Sequence, residues 1–185
     1  MPVFISFLRG VNMTGHNKMK MADLSTLYSE MGFKNVRTFI QSGNVVFTTG
    51  GDYTVPSLSK MIESSVNKGF GYDVPVFIRT IKDLESLTAL NPYLKEEYFD
   101  PSKMAVLFLK ENASAEQMDR VINIDYPPDK FKVSGSEIFI YCPNGFGKTK
   151  LNTNFFEKKM GVTGTARNWN TILAIMEMAT AICEL

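Results

Sequence analysis

The sequence predicts an α+β protein built from two ferredoxin-like plaits in tandem, each a split β-α-β unit with a mainly antiparallel sheet and helices packed on it. Each half of the chain has the same order of predicted elements: strand, helix, hairpin, helix, strand and a trailing helix. The composition is that of an ordinary globular protein, with 44% apolar and 21% charged residues. The halves share a pattern but not their residues, and one larger sheet carrying all the helices is the alternative architecture.

The first half opens on a predicted strand over Val3–Leu8, an apolar run interrupted only by Ser6. Such a run suits a strand that is covered on both faces. Periodicity and turn residues then predict a helix over 21–33, strands over 36–40 and 45–48, a helix over 55–66, a strand over 74–81 and a short helix over 83–90.

The second half repeats this order from residue 104. It has predicted strands over 104–109, 131–133, 137–141 and 162–167, and predicted helices over 115–122, 150–160 and 169–183, with Ser114 as an N-cap. The expected domains are 1–90 for the first plait and 104–185 for the second plait with its C-terminal helix. Residues 91–103, with two prolines and three acids, are the expected linker.

Charge and composition exclude several classes of protein. Lys plus Arg is 20 and Asp plus Glu is 19, so the chain lacks the global field of a protein that coats nucleic acid. Two distant cysteines, Cys142 and Cys183, and a single histidine, His16, imply no disulfide scaffold, no His-rich metal site and no Ser-His-Asp triad. No metal or organic cofactor is therefore expected.

The sequence also predicts a cytoplasmic setting without a membrane partner. The N-terminal segment has the character of a strand and not of a signal peptide. No apolar stretch approaches the roughly 18 residues that a membrane span needs. The cysteine content fits a reducing compartment.

In the first half, plait topology brings the loop after the first strand to the same end of the sheet as the hairpin turn. We interpret polar residues of both segments as a candidate anion site: Arg9, Gly10, Asn12, Lys18, Gln41, Ser42 and Asn44. A structural alternative is equally specific. Arg9 would cap carbonyls of the hairpin, Asn12 would order the loop, and Ser-Gly-Asn would serve only as turn chemistry.

In the second half, the loop after the predicted strand 137–141 and the end of the last strand share the opposite end of the sheet. Neither segment contains an acid, and their candidate anion-binding residues are Asn144, Lys148, Lys150, Arg167, Asn168 and Asn170. Gly147-Lys148-Thr149 is similar to the end of a P-loop, but Cys142 stands where that motif needs glycine. Trp169 either anchors the last helix, with Asn168 or Asn170 as its cap, or stacks on a base.

Three separated segments resemble one protein family. FLRGVNMTGHNKMKMADL, FIQSGNVVF and TARNWNTI are similar to motifs of a bacterial family known as domain of unknown function 1697. The resemblance covers nearly the whole chain and implies a plait-like α+β fold in a bacterial cytosolic protein. It does not imply any particular activity. Thr14 stands where the family pattern often has a second glycine.

These observations favour a protein that binds a small anionic metabolite or nucleotide through basic loops. Whether it also modifies that ligand is open, because no carboxylate pair and no activated nucleophile can be assigned. The alternative is a protein-interaction or scaffold module, for which the 11 Met and 14 Phe residues could supply an apolar surface. An RNA-binding module is less favoured, since no strand carries the basic-aromatic run of the RNA-recognition fold. The oligomeric state is open.

Overall fold

The computed structural model describes residues 1–13 and 15–183; Thr14, where the chain departs from the family pattern, lies outside the described residues. The first series of elements is β1 (Val3–Leu8), α1 (Met21–Glu30), β2 (Lys34–Phe39), β3 (Asn44–Thr48), α2 (Val55–Phe70), β4 (Val76–Thr80) and α3 (Ile81–Leu90). After a short 3-10 helix over Pro101–Lys103, the second series is β5 (Met104–Leu109), α4 (Ala115–Asp119), β6 (Lys130–Ser134), β7 (Glu137–Tyr141), α5 (Thr153–Met160), β8 (Gly164–Asn168) and α6 (Trp169–Cys183).

The strands form two four-stranded antiparallel sheets with the orders β2-β3-β1-β4 and β6-β7-β5-β8. The first strand of each series is central and the last strand is an edge, as expected for a ferredoxin-like plait. The predicted tandem of plaits is confirmed, and the single larger sheet is wrong.

Contacts divide the chain into two compact units. Unit 1 comprises Met1–Glu85 with Ala174–Leu185, and unit 2 comprises Ser86–Leu173. Within unit 2, the rings of Tyr93 and Phe99 each stack on Tyr141 with centroids 5.7 Å apart, so the segment 91–103 packs on this sheet. The division into domains at 1–90, 91–103 and 104–185 stays a prediction.

The core of unit 1 explains the one polar residue in the first strand. Phe4 and Leu8 pack in the cluster that α1 and α2 complete, and Ser6 points to the same face. The Ser6 hydroxyl lies 2.8 Å from the hydroxyl of fully buried Tyr28. Burial raises the pKa of Tyr28 above its ordinary value. Ser6 therefore satisfies a tyrosine that would otherwise bury an unpaired hydroxyl.

The opposite face of this sheet is buried as well. Ile5 and Phe7 of β1 and Phe77 of β4 are at most 1% exposed. In unit 2, Val106 and Phe108 of β5 are likewise fully buried. The prediction that the first strand is covered on both faces is confirmed.

α1 ends three residues before the predicted boundary, because a glycine motif stops it. Gly32 has φ +85°, its N–H donates to Ser29 O, and the N–H of Phe33 donates to Tyr28 O. This pair of bonds is a Schellman motif, which satisfies the last helical carbonyls and turns the chain away. The predicted helix over 21–33 is thus too long, although its stop signal was placed correctly.

Side-chain caps set the starts of the helices in unit 2. Ser114 and Gln117 form the capping box of α4, which confirms the predicted N-cap. The turn after Asp119 is held by shorter-range bonds, such as Val121 N–H to Met118 O, so the helix ends before the predicted residue 122. α5 begins at Thr153 and not at 150, because the Asn152 side chain accepts from Phe155 N–H.

The two plaits close their loop ends in the same way. Leu8 N–H donates to Gly43 O, and at the equivalent position Leu109 N–H donates to Ser136 O, each at 2.8 Å. These bonds join the loop after the first strand to the hairpin turn in both units, as plait topology predicts. No helix in the described part of the chain is long and apolar enough to cross a membrane.

We expect Gly43 to tolerate no side chain. It has φ +71°, and a Cβ atom there would lie 2.5 Å from Val11 Cγ2 and 2.8 Å from Leu8 Cβ. Gly71, with φ +74° and open space around it, is the matched control. Gly71→Ala should cost about 1 to 2 kcal/mol of unfolding free energy from backbone strain alone, and Gly43→Ala about 1 to 3 kcal/mol more from overpacking. Equal losses in urea unfolding would contradict the close packing of turn and loop.

Candidate functional site

Asn12 links the loop and the hairpin turn of unit 1. Its Nδ2 group donates to Met19 O and to Gln41 O, both at 2.8 Å, and its Oδ1 atom accepts from Met19 N–H at 2.8 Å. The backbone adopts φ +56°, a conformation that Asn accepts better than most residues. Both side-chain N–H bonds are occupied within the protein, which favours the loop-ordering interpretation of Asn12.

Asn44 has a similar role in the hairpin. It is fully buried and donates to Phe39 O at 3.1 Å and to the Ser42 hydroxyl at 2.9 Å. Gln41 receives the bond from Asn12 through its backbone carbonyl. The predicted contact between this turn and the first loop is therefore observed, and these hydrogen bonds hold the two segments together.

This loop end also contains two cationic residues and a glycine that the sequence analysis selected as candidates. Arg9 is half-buried, with its backbone N–H bonded to Pro75 O at 3.0 Å, and Lys18 is exposed. Gly10 has φ +67° with nothing within 4 Å of a Cβ atom placed there. A ligand role for Arg9, Gly10 and Lys18 stays a prediction.

In unit 2, the ends of β7 and β8 lie at the same edge of the sheet, as predicted. Tyr141 pairs with Met104, and Asn168 pairs with Ala105, so both strands end beside the start of β5. β5 separates them, and strand neighbours are about 4.8 Å apart. The loop 143–150 and the segment 167–170 thus share an end of the sheet without being adjacent.

Arg167 and the loop 143–150 lie on different faces. Arg167 and Phe139 both pair with Val106, and residues directly opposite one another share a face. Ile138, Ile140 and Cys142 belong to the cluster on the other face. Arg167 is 8% exposed, and Nη1 donates to Thr165 Oγ1 and Ala166 O. Burial lowers the pKa of Arg167 to about 10, so the side chain stays charged at neutral pH.

Trp169 has the environment of an anchor. It is 2% exposed at the first position of α6, whereas its neighbours Asn168 and Asn170 are exposed. A side chain buried to this extent offers no ring face to a base from solvent. The same holds for the aromatic residues at the centres of the sheets, Phe7 and Phe108, which counts against an RNA-recognition surface.

A cavity of about 360 Å³ in unit 2 brings together the predicted residues of the loop after β7, namely Asn144, Lys148 and Lys150. Gly145 and Thr149 of the same loop also line it, whereas Asn168 and Asn170 do not. Lys148 and Lys150 are exposed, and neither ammonium forms an ion pair within the described part of the chain. Lys150 Nζ lies 5.5 Å from the centre of the Tyr126 ring, a cation–π distance.

The lining of this cavity also includes residues that the sequence analysis did not identify. Asp125, Tyr126 and Asp129, with Pro127 and Pro128, come from the connection between α4 and β6. The cavity therefore contains two carboxylates, although its loop 143–150 is free of acids. No motif in the connection between α4 and β6 marked them as candidates.

Cys142 lies beside the cavity but is an unsuitable nucleophile. Its side chain is fully buried. Burial is the main cause that raises the pKa of the Cys142 thiol; the nearby Asp129 carboxylate raises it further, and a hydrogen bond with Thr149 opposes the change. A thiol with a raised pKa holds little thiolate at neutral pH. Nor do the described residues contain a group of three or more His, Cys, Asp or Glu that could hold a metal ion.

The geometry defines an α+β tandem plait with a small polar cavity in unit 2. The model of a family described as proteins of unknown function, DUF1697, matches residues 1–139, and the chain belongs to this family. The family membership that the resemblance implied is thereby confirmed, and the segment TARNWNTI lies beyond the matched residues.

One solved structure shares the fold over almost its full length. It is a conserved bacterial protein, SP0830 from Streptococcus pneumoniae, with 20% identity, a TM-score of 0.74, and coverage of 96% of this chain and 98% of that chain. At this identity the likeness shows the fold alone. No curated protein matches the chain.

We expect Asn12→Asp to destabilise unit 1 strongly. The change keeps the shape and the tolerance of positive φ, but places a carboxylate oxygen against the carbonyls of Met19 and Gln41. The unfolding free energy should fall by about 3 kcal/mol, because two donors are lost and a charged acceptor is unsatisfied.

Asn17→Asp is the control for this substitution. Asn17 also has positive φ, but it makes one side-chain bond, from Nδ2 to Gly10 O at 3.1 Å. Its variant should lose about 1 kcal/mol in the same urea titration. An Asn12→Asp protein as stable as wild type would show that Asn12 does not hold the loop.

Proposed function

We propose that the protein binds a small organic anion in the cavity of unit 2. The observation that carries the proposal is the pair Lys148 and Lys150, two exposed ammonium groups without ion pairs on the wall of a cavity of about 360 Å³. Ligand sites are typically concave, roughly 300 to 1,000 Å³ in volume, and contain a few convergent polar groups. Sugar phosphates and nucleotides belong to the class of ligand that this cavity suits.

The cavity is suited to an anion of limited charge. Asp125 and Asp129 line the same cavity as the lysines, so the site is nearly neutral overall and would repel a ligand that is anionic along its whole length. A molecule with an anionic group at one end and hydrogen-bond donors at the other complements both kinds of lining residue. This pattern favours a small metabolite over a polyanion such as RNA.

Binding, and not covalent chemistry, is the proposed activity. The one thiol beside the cavity, Cys142, is buried and has a raised pKa. Lys148 and Lys150 can position and stabilise negative charge without forming a bond to the ligand. The cytoplasmic setting and the protein-interaction alternative stay predictions. Phenylalanines such as Phe47 and Phe139, which that alternative would need at the surface, are buried in the sheets.

Calorimetric titration of the whole chain with a panel of nucleotides, sugar phosphates and carboxylates tests the proposal. Each lysine that contacts the anion should contribute a charge-assisted hydrogen bond of about 2 kcal/mol. Lys148→Ala and Lys150→Ala should therefore each weaken binding of the best panel member by about tenfold or more. Binding should also weaken as salt rises, since the contacts are between charges in a wet cavity.

Lys158→Ala is the matched control, because Lys158 is an exposed lysine of α5 that does not line the cavity. Its affinity should equal that of wild type. Binding that is lost in Arg9→Ala and retained in both cavity variants would move the site to the loop end of unit 1. A panel without any binding member would refute the proposal for these ligand classes.

A further inference from the structure

A second cavity in unit 2 adjoins the first. It measures about 370 Å³ and lies between α4, with the turn that follows it, and the edge strand β6. Six apolar side chains line it: Met118, Val121, Ile122, Ile124, Phe131 and Val133. Lys130 and Lys132 of β6 also belong to its lining, but they pair with Tyr141 and Phe139 and so point to the other face of the sheet from Phe131 and Val133. Asp125, Tyr126 and Asp129 line both cavities. The two cavities are therefore neighbouring parts of one cleft that share a wall.

Three kinds of chemistry follow one another along this cleft. Apart from Lys130 and Lys132, the half between α4 and β6 is lined mainly by apolar residues. Two carboxylates and a tyrosine line both halves, and Lys148 and Lys150 line the other half. Carboxylates at a shared wall accept hydrogen bonds from hydroxyl groups, as acidic residues do for ribose in dinucleotide-binding folds. An alkyl chain lying beside these carboxylates would form no hydrogen bond with them, so the contact would not stabilise the complex.

We propose that the anion bound by this protein is a nucleoside monophosphate. Its base occupies the apolar half, its ribose hydroxyls face Asp125 and Asp129, and its phosphate lies at Lys148 and Lys150. This inference rests on the proposed function and adds the ligand class. The order apolar, hydroxyl-accepting and cationic in the cleft matches the order base, sugar and phosphate in the ligand.

Ile122 supports a ligand in the apolar half. It lines that cavity and is 71% exposed, although it is a large apolar side chain. A planar base lying over it would remove apolar surface from water on both partners. Tyr126, at the shared wall, offers an aromatic ring beside the same position, and Lys150 already lies over that ring.

The experiment compares four probes by calorimetric titration with the intact protein: AMP, ribose 5-phosphate, inorganic phosphate and adenosine. We expect AMP to bind at least tenfold more tightly than ribose 5-phosphate, because only AMP fills the apolar half. Ile122→Glu should abolish this advantage while it leaves ribose 5-phosphate binding within about twofold of wild type. Ile122 is exposed, so the variant should keep the wild-type melting temperature.

Ile40→Glu is the control for this substitution. Ile40 is an isoleucine of unit 1 that is 53% exposed and outside the cleft, and its variant should bind AMP as wild type does. The lysine variants Lys148→Ala and Lys150→Ala should weaken AMP and ribose 5-phosphate by the same factor.

The outcomes separate the two proposals. Equal affinity for AMP and ribose 5-phosphate, both sensitive to Lys148→Ala, would overturn the nucleotide assignment and retain the anion site. If none of the phosphate probes binds, both the anion site and the nucleotide assignment are overturned for phosphate ligands. If a 5′-phosphorylated oligoadenylate binds more tightly than AMP, the ligand is the 5′ end of an RNA, and the assignment of a free nucleoside monophosphate is overturned.

Discussion

The central strand of each sheet is the constraint on which the rest of the fold depends. β1 and β5 are buried along their whole lengths, with every residue in contact with a core on one face or the other. A strand buried on both faces must have hydrogen-bonded neighbours on both edges, because no water reaches its backbone. β3 and β4 supply them for β1, and β7 and β8 supply them for β5.

This pairing decides which loops meet. Once the hairpin strand pairs antiparallel with the central strand, the hairpin turn must lie beside the loop that leaves the central strand. In unit 1 the Asn12 bridge and the Leu8–Gly43 bond fill that junction with internal hydrogen bonds. In unit 2 the candidate ligand-binding residues lie at the opposite end of the sheet, where the loop 143–150 follows β7. The same topology has thus produced one braced end and one end with a cavity.

The fold could be read from the sequence because its signals are local. Apolar runs, helix periodicity and a Ser-Gly-Asn turn identify the strands and helices without knowledge of their partners. Boundaries were less accurate where a hydrogen-bond motif overrides periodicity, as at the Schellman turn of Gly32 and the Asn152 cap.

The site was only partly predictable, because it depends on relations between distant segments. Lys148 and Lys150 were found through a glycine-rich, acid-free loop. Asp125 and Asp129 have no such local signature, and only the tertiary structure brings their connection to face that loop. Arg167 lies at the same end of the sheet but points to the other face. Which face a residue points to depends on how its strand is aligned with the neighbouring strand, and the local sequence does not determine that alignment.

We propose that the cleft of unit 2, and not the braced loop end of unit 1, is where this protein binds its ligand. Backbone amide NMR during titration with AMP tests it most directly, since every segment reports at once. We predict saturable shift changes at Gly145, Lys148 and Lys150 and at Ile122 and Tyr126, with the amides of Gly10, Asn12 and Ser42 unmoved. Changes confined to Gly10, Asn12 and Ser42 would contradict the account and return the site to unit 1.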